Sequence, residues 1–302
     1  MERRALLWLL GAAVLWGTTG TAQALGGAEG SPLSVGAVRL AIGAAGLLAF
    51  GSRDLRRTPI RWLLVGAAAM AGYQVAFFVG VARAGVALGT VVAIGSAPIV
   101  AGLAGWAVRS EPPTRRWWTA TALAVTGVAL IAGRPHEVDM GGVALAVLAG
   151  VAYAVATLAS KYLVEVVPPE TAMAAMFGAA AIVLAPLLPN GDLRWLTEPA
   201  GAAAAIWLGL GATTAAYIAF ARGLRLATVG QAATVGLAEP ATATLLGVAL
   251  LAERPPAMAW LGVAVVGVAL TTLASGPLNA EGARTPRGRV PAPRRGRRGR
   301  GT

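Results

Sequence analysis

Ten nearly charge-free apolar stretches follow one another along this chain, at about 5–24, 34–51, 61–82, 86–108, 117–133, 141–163, 171–188, 201–221, 227–251 and 257–275. A helix needs about 20 mostly apolar residues to cross a bilayer. Inside a bilayer every backbone N–H and C=O must be paired within the protein, so only helices and closed barrels can span it. These runs are long and lack the period-two alternation of barrel strands, which leaves helices. Composition agrees: 13% of residues are charged and 57% hydrophobic, against about a quarter charged in soluble domains. The expected fold class is an all-α polytopic membrane protein with ten transmembrane helices. The first stretch also resembles a signal peptide, with Ala22-Gln23-Ala24 placed like a cleavage site. Nine further spans and an internal repeat argue that it is retained as a helix.

Function classes fall away quickly. Cysteine is absent, and there is one histidine, His136. That excludes thiolate metal sites and the HExxH zinc motif. Lys161 is the single lysine and lies outside any GK[ST] context, so there is no P-loop. The spans contain no aspartate and one midspan acid, which argues against an intramembrane protease. No enzyme activity, metal or cofactor is expected. The net charge of +12 does not indicate a nucleic-acid partner, because eight arginines and one acid sit in the last 26 residues. That segment, 277–302, reads as a disordered basic cytoplasmic tail, solvated or resting on anionic lipid head groups.

Arginine and lysine set the topology. With the N-terminus inside, the inner face holds Arg3, Arg4, Arg53, Arg56, Arg57, Arg61, Arg109, Arg115, Arg116, Lys161, Arg222 and Arg225. The outer loops hold Arg83, Arg134, Arg194 and Arg254. Both termini are therefore expected in the cytoplasm of a multi-pass cell-membrane protein. Trp62, Trp117 and Trp118 fall at the inner interface, and Trp195 and Trp260 at the outer one.

The chain also repeats itself. Residues 98–118 and 240–260 match at eight of 21 positions, including Pro98/Pro240, Glu111/Glu253, Pro113/Pro255 and Trp118/Trp260. A shift of 137 pairs Trp16 with Tyr153. The halves run from 1 to 134 and from 135 to 276. Each holds five spans, an odd number, so the second half enters the membrane from the opposite side. Two inverted five-helix repeats result, an arrangement common in secondary transporters.

Polar groups inside spans are costly and mark function first. Glu239 lies near the midplane of the ninth span, followed by Pro240, which interrupts the helix hydrogen bonds. It serves a substrate amine, a coupling proton, or only the local helix geometry. Arg39 in the second span either snorkels to the outer head groups or faces a cavity, where it pairs with Glu239 or grips a carboxylate. Gln74 and Gln231 are expected to face protein or water, and Trp16, Tyr73, Tyr153 and Tyr217 are further pocket candidates. Pro98 and Pro240 are read as hinges. Lys161 is expected to snorkel from the end of the sixth helix, and His136, near Glu137 and Asp139, is not expected to form a metal site.

The strings "LWGTTG", "VRLAIG", "AIGSAPIVAGLAGWAVRSEPP", "GLAEPATATLLGVALLAERPP" and "AWLGVAVVGVAL" resemble the EamA family of the drug/metabolite transporter superfamily. The resemblance covers about 5–275. It implies two EamA units around a central cavity lined by helices 1–4 and 6–9, with helices 5 and 10 peripheral. It also implies export of a small solute such as an amino acid, metabolite or amphipathic drug. One departure stands out: Ala97 occupies the position paired with Glu239. The expected function is alternating-access export, with proton coupling through Glu239 as an option, by a monomer or homodimer. The alternative is an integral membrane assembly or anchoring subunit without transport.

Overall fold

The computed structural model describes residues 1–27, 32–51, 53–133, 139–185 and 193–275. The basic tail and His136 lie outside the described residues. Those residues form ten helices: α1 (Arg3–Leu25), α2 (Pro32–Gly51), α3 (Ile60–Ala84), α4 (Val86–Arg109), α5 (Arg115–Ala132), α6 (Met140–Val166), α7 (Pro169–Leu184), α8 (Pro199–Leu226), α9 (Val229–Leu251) and α10 (Ala257–Ala274). Eight are long and apolar enough to cross a bilayer; α5 and α7 are the exceptions. The protein is an all-α, multi-pass membrane protein.

Short links set the direction of each helix. The left-handed Gly85 (φ 82°) alone joins α3 to α4. Contacts between helix ends show the resulting alternation. At one end, which also holds Arg3, the end of α4 meets the end of α6 through Arg109–Glu165, and Arg222 of α8 pairs with Glu170 of α7. At the opposite end, Arg83 of α3 pairs with Asp139 ahead of α6. We call these the basic end and the far end.

The pairing of helices follows a pattern. α3 packs on α6 and α1 on α8; α4 packs on α6 and α9 on α1; α2 packs on α7 and α5 on α10. Small residues make these approaches possible. At Gly17 a Cβ would sit 2.6 Å from the Thr242 Cβ, so α1 and α9 touch at backbone distance there. α5 and α10 pack against each other at the periphery, with Gly127 and Gly262 facing across the contact. The largest buried cluster joins α1, α3, α7 and α8 through Leu9, Met70, Met173, Phe177 and Leu224.

Two helices depart from regular geometry. α8 contains a π-helical stretch, Trp207–Ala215. There the Thr213 and Thr214 hydroxyls donate to carbonyls five residues back, Leu208 at 2.8 Å and Gly209 at 3.1 Å. α9 is interrupted at Leu237 (φ −64°, ψ −4°), three residues before Pro240. Pro98, by contrast, sits inside a continuous α4.

Candidate functional site

A cavity of about 170 Å³ lies among the middles of the helices. α1 supplies Trp16, Thr19 and Gln23. α2 supplies Arg39, and α3 supplies Tyr73, Gln74, Phe77 and Phe78. α4 gives Ala93, Ile94 and Ala97; α6 gives Tyr153; α8 gives Tyr217; α9 gives Ala233, Gly236 and Glu239. α5 and α10 contribute nothing to it, as their peripheral position requires. α7, which the family resemblance placed among the lining helices, stands one layer back. Its Phe177 packs against the Tyr217 ring at 4.2 Å between centroids.

Two aromatic walls face the cavity. Trp16 of α1 packs on Tyr217 of α8 at 5.1 Å and on Phe220 at 5.4 Å. Tyr73 of α3 packs on Tyr153 of α6 at 5.6 Å and on Phe77 at 5.5 Å. Large π-faces in tilted contact suit flat or apolar groups and cations. The indole N–H of Trp16 is buried and has no hydrogen-bond partner among the described residues. Buried donors are normally paired, so this one is open to an acceptor in the cavity.

The polar groups are unevenly placed. Glu239 and Arg39 are partly buried, and among the described residues neither closes an ion pair or hydrogen bond. The Gln74 amide is buried beside them. Proline lacks the N–H that would bond the carbonyl four residues earlier. Pro98 therefore releases the carbonyl of Ile94, and Pro240 that of Gly236; both residues line the cavity. The two prolines thus free backbone acceptors near a carboxylate, which favours a cationic group on that side.

Seven of the residues singled out from the sequence come together here: Trp16, Arg39, Tyr73, Gln74, Tyr153, Tyr217 and Glu239. Gln231 does not. It lies in the first turn of α9, where its Oε1 accepts from the Thr228 N–H at 3.2 Å and its own N–H donates to Thr228 Oγ1 at 3.2 Å. That capping box occupies it at the helix start, away from the cavity. Lys161 also departs from expectation. It does not snorkel: 7% exposed, it donates to the carbonyls of Leu224 and Ala227 at 2.9 Å and of Arg225 at 3.3 Å. A cation over the last carbonyls of α8 satisfies groups that no helix can pair internally. Sequence reasoning missed Thr19, Gln23, Phe77 and Phe78. Among the described residues no cluster of metal-ligating side chains exists.

Comparison with known proteins agrees with this architecture. The chain is 43% identical over 277 residues to the uncharacterised transporter YwfM of Bacillus subtilis (strain 168), covering 90% of this chain and 94% of that protein. A solved crystal structure shares its fold with a TM-score of 0.78 at 21% identity, over 90% of this chain and 96% of its own. The EamA-like transporter family matches twice, at residues 3–133 and 140–274. With nearly all of its described residues inside those two matches, the chain belongs to the EamA-like transporter family.

Proposed function

We propose that the protein is a secondary transporter that exports a small organic solute by alternating access. In this reading two inverted five-helix units, 1–134 and 135–276, enclose the solute. As a member of a transporter family it is not an enzyme. The observation that carries the reading is Glu239 and Arg39 lining one cavity with neither closing a hydrogen bond or ion pair among the described residues. Opposite charges held apart inside a bilayer protein remain costly, and a solute bound between them offsets that cost. A zwitterion meets both at once, its ammonium toward Glu239 and the released carbonyls and its carboxylate toward Arg39. Its apolar part then fits between the aromatic walls.

Helix pairing supports the inverted repeat. Advancing every label by five, and returning from ten to one, turns α3–α6 into α8–α1 and α4–α6 into α9–α1. It leaves α2–α7 and α5–α10 unchanged, and all of these pairs pack in the structure. The same operation exchanges the Tyr73–Tyr153 wall for the Tyr217–Trp16 wall. Two equivalent halves around one site are what alternating access needs. The arginine bias supports a cytoplasmic basic end, and with it a cytoplasmic N-terminus.

Counterflow in proteoliposomes, with a panel of amino acids and with and without a pH gradient, tests this. Counterflow of a zwitterionic amino acid is expected, reduced at least tenfold by Glu239→Gln or by Arg39→Gln, the scale of a lost buried charge contact. Full transport by Glu239→Gln that still follows the pH gradient removes that carboxylate from coupling.

A further inference from the structure

The cavity spans the middle of the bundle, and each half lines a different side of it. On α1 its lining residues run from Trp16 to Gln23, in the half nearer the C-terminus; on α3 they run from Tyr73 to Phe78, again toward the C-terminus. Arg39 is in the first half of α2, and Ala93, Ile94 and Ala97 are in the first half of α4. With alternating directions these lie toward the far end, whereas Tyr217 of α8 and Ala233, Gly236 and Glu239 of α9 lie toward the basic end and Tyr153 is at the middle of α6.

The basic end is closed in two layers. Below the cavity is a plug of small and medium side chains from α4, α6 and α9. Ala101, Ala154 and Val229 are fully buried, and Ala233 and Leu158 nearly so, with Ala104 and Tyr162 packed beside them. Ala233 belongs to both the plug and the cavity wall. Beyond the plug is a chain of charges. Lys161 Nζ holds the α8–α9 turn through three carbonyls and lies 3.7 Å from Glu165 Oε1. Glu165 Oε1 accepts from Arg109 Nη2 at 2.6 Å. Arg109 Nε donates to Glu111 Oε1 at 2.8 Å, and Glu111 Oε2 accepts from the Val229 N–H at 3.1 Å. The chain starts and ends on the α8–α9 turn, so it forms a ring joining α4, α6, α8 and α9. Tyr162 covers the Arg109 guanidinium at 4.7 Å, and Trp62 of α3 stacks on Tyr162 at 4.0 Å.

We infer that the ring of Lys161, Glu165, Arg109 and Glu111 is the gate that shuts the cavity at the basic end, and that it parts when the cavity opens there. α4, α6 and α9 contribute to both the cavity wall and the plug, so access from this end requires them to separate, and the ring joins those same helices. Its charges lie at the end of the bundle, with Glu165 40% exposed. Water can therefore solvate them once they separate, as a reversible contact requires. Among the described residues the far end has no equivalent ring: the position paired with Arg109 is Leu251, and Glu253 closes no ion pair there.

The inference rests on the alternating-access reading but is tested without any solute, so its failure and a failure of counterflow are separate results. The chain has no cysteine, so a single reporter labels cleanly. Ala104→Cys places a thiol beside the plug, and a membrane-impermeant maleimide is applied to sealed vesicles from either side. Glu165→Gln, which leaves the three Lys161 carbonyl bonds in place, is expected to raise labelling from the basic end roughly tenfold, the response to a tenfold population shift. Lys161→Met is expected to raise it further. A Thr19→Cys reporter in the cavity is expected to lose labelling from the far side in the same variants. Unchanged labelling of both reporters in Glu165→Gln, with thermal stability equal to the parent, overturns the inference.

Discussion

The turn after α4 and the turn after α9 share one backbone and differ in what surrounds it. Among the described residues, Ser110 and Ala252 are the non-glycine residues at positive φ, 55° in each. Past them, the Glu111 N–H donates to the Gly105 carbonyl at 3.2 Å and the Glu253 N–H to the Gly247 carbonyl at 3.1 Å. In each, an N–H reaches six residues back past a left-handed residue that ends the helix. Two prolines follow each turn and prevent the helix from continuing. The pairing of Glu111 with Glu253 in the sequence thus comes down first to a way of ending a helix. The side chains then diverge. The Glu111 carboxylate is held by Arg109 and by the first N–H of α9, at 14% and 17% side-chain exposure for the ion pair. Glu253 has Leu251 where Glu111 has Arg109. A shared fold element has been kept in both halves, and a charged tie has been added to one.

The sharpest way to break this comparison is to remove both carboxylates in turn. Glu111→Ala leaves Arg109 without one partner and the Val229 N–H without an acceptor. A loss of about 3 kcal/mol is expected, in line with breaking a mostly buried pair. Glu253→Ala is expected to cost under about 1 kcal/mol, the range of an exposed contact. Thermal unfolding in detergent measures both. Equal losses mean that the two turns are energetically alike and that the difference in their surroundings carries no weight.

The backbone half of the comparison has its own test. A left-handed conformation costs a residue with a Cβ about 1–2 kcal/mol, and glycine returns part of that gain through its freer unfolded chain. Ser110→Gly and Ala252→Gly are each expected to stabilise the protein by about 0.5 kcal/mol. Equal shifts in melting temperature support one shared backbone solution, whereas opposite signs show that the turns carry different strain.

The sequence revealed the number and order of helices because a spanning segment is defined by length and apolarity, which are local properties. The cavity residues it identified were polar or large aromatic groups inside spans, where cost alone signals a role. Thr19, Gln23, Phe77 and Phe78 escaped because helix rotation decides which face meets a cavity, and the weak amphipathicity of Ala- and Gly-rich spans does not fix rotation. Gln231 was misplaced for a legible reason. Thr228 and Gln231 carry the three-residue spacing of a capping box, which marks a helix start and not a midspan position. The hold of Lys161 on the α8–α9 turn depends on residues more than 60 positions away, and the π-helical stretch in α8 has no sequence signature.

The smallest effect is expected at the far end, where Arg83 and Asp139 link α3 to α6. Arg83 Nε donates to Asp139 Oδ2 at 2.8 Å, and the Gly141 N–H donates to Oδ1 at 2.8 Å. The Arg83 hydrogen bond, and then the Gly141 N–H, hold the Asp139 carboxyl below its ordinary value of 3.8. A depressed carboxylate stabilises the fold above the pKa of the unfolded chain, and that contribution fades as pH falls through the folded value. The pair is 53% and 38% exposed, so water and salt screen most of it. Asp139→Asn keeps an acceptor for the Gly141 N–H and removes the charge. At neutral pH it is expected to lower the melting temperature slightly, by an amount that shrinks in high salt and fades as pH falls through the lowered pKa of the parent carboxyl. The basic-end ring, with Arg109 and Glu111 mostly enclosed, is expected to resist the same salt. If salt weakens both ends equally, the ring is as solvated as the far-end pair and its charges cannot hold the bundle shut.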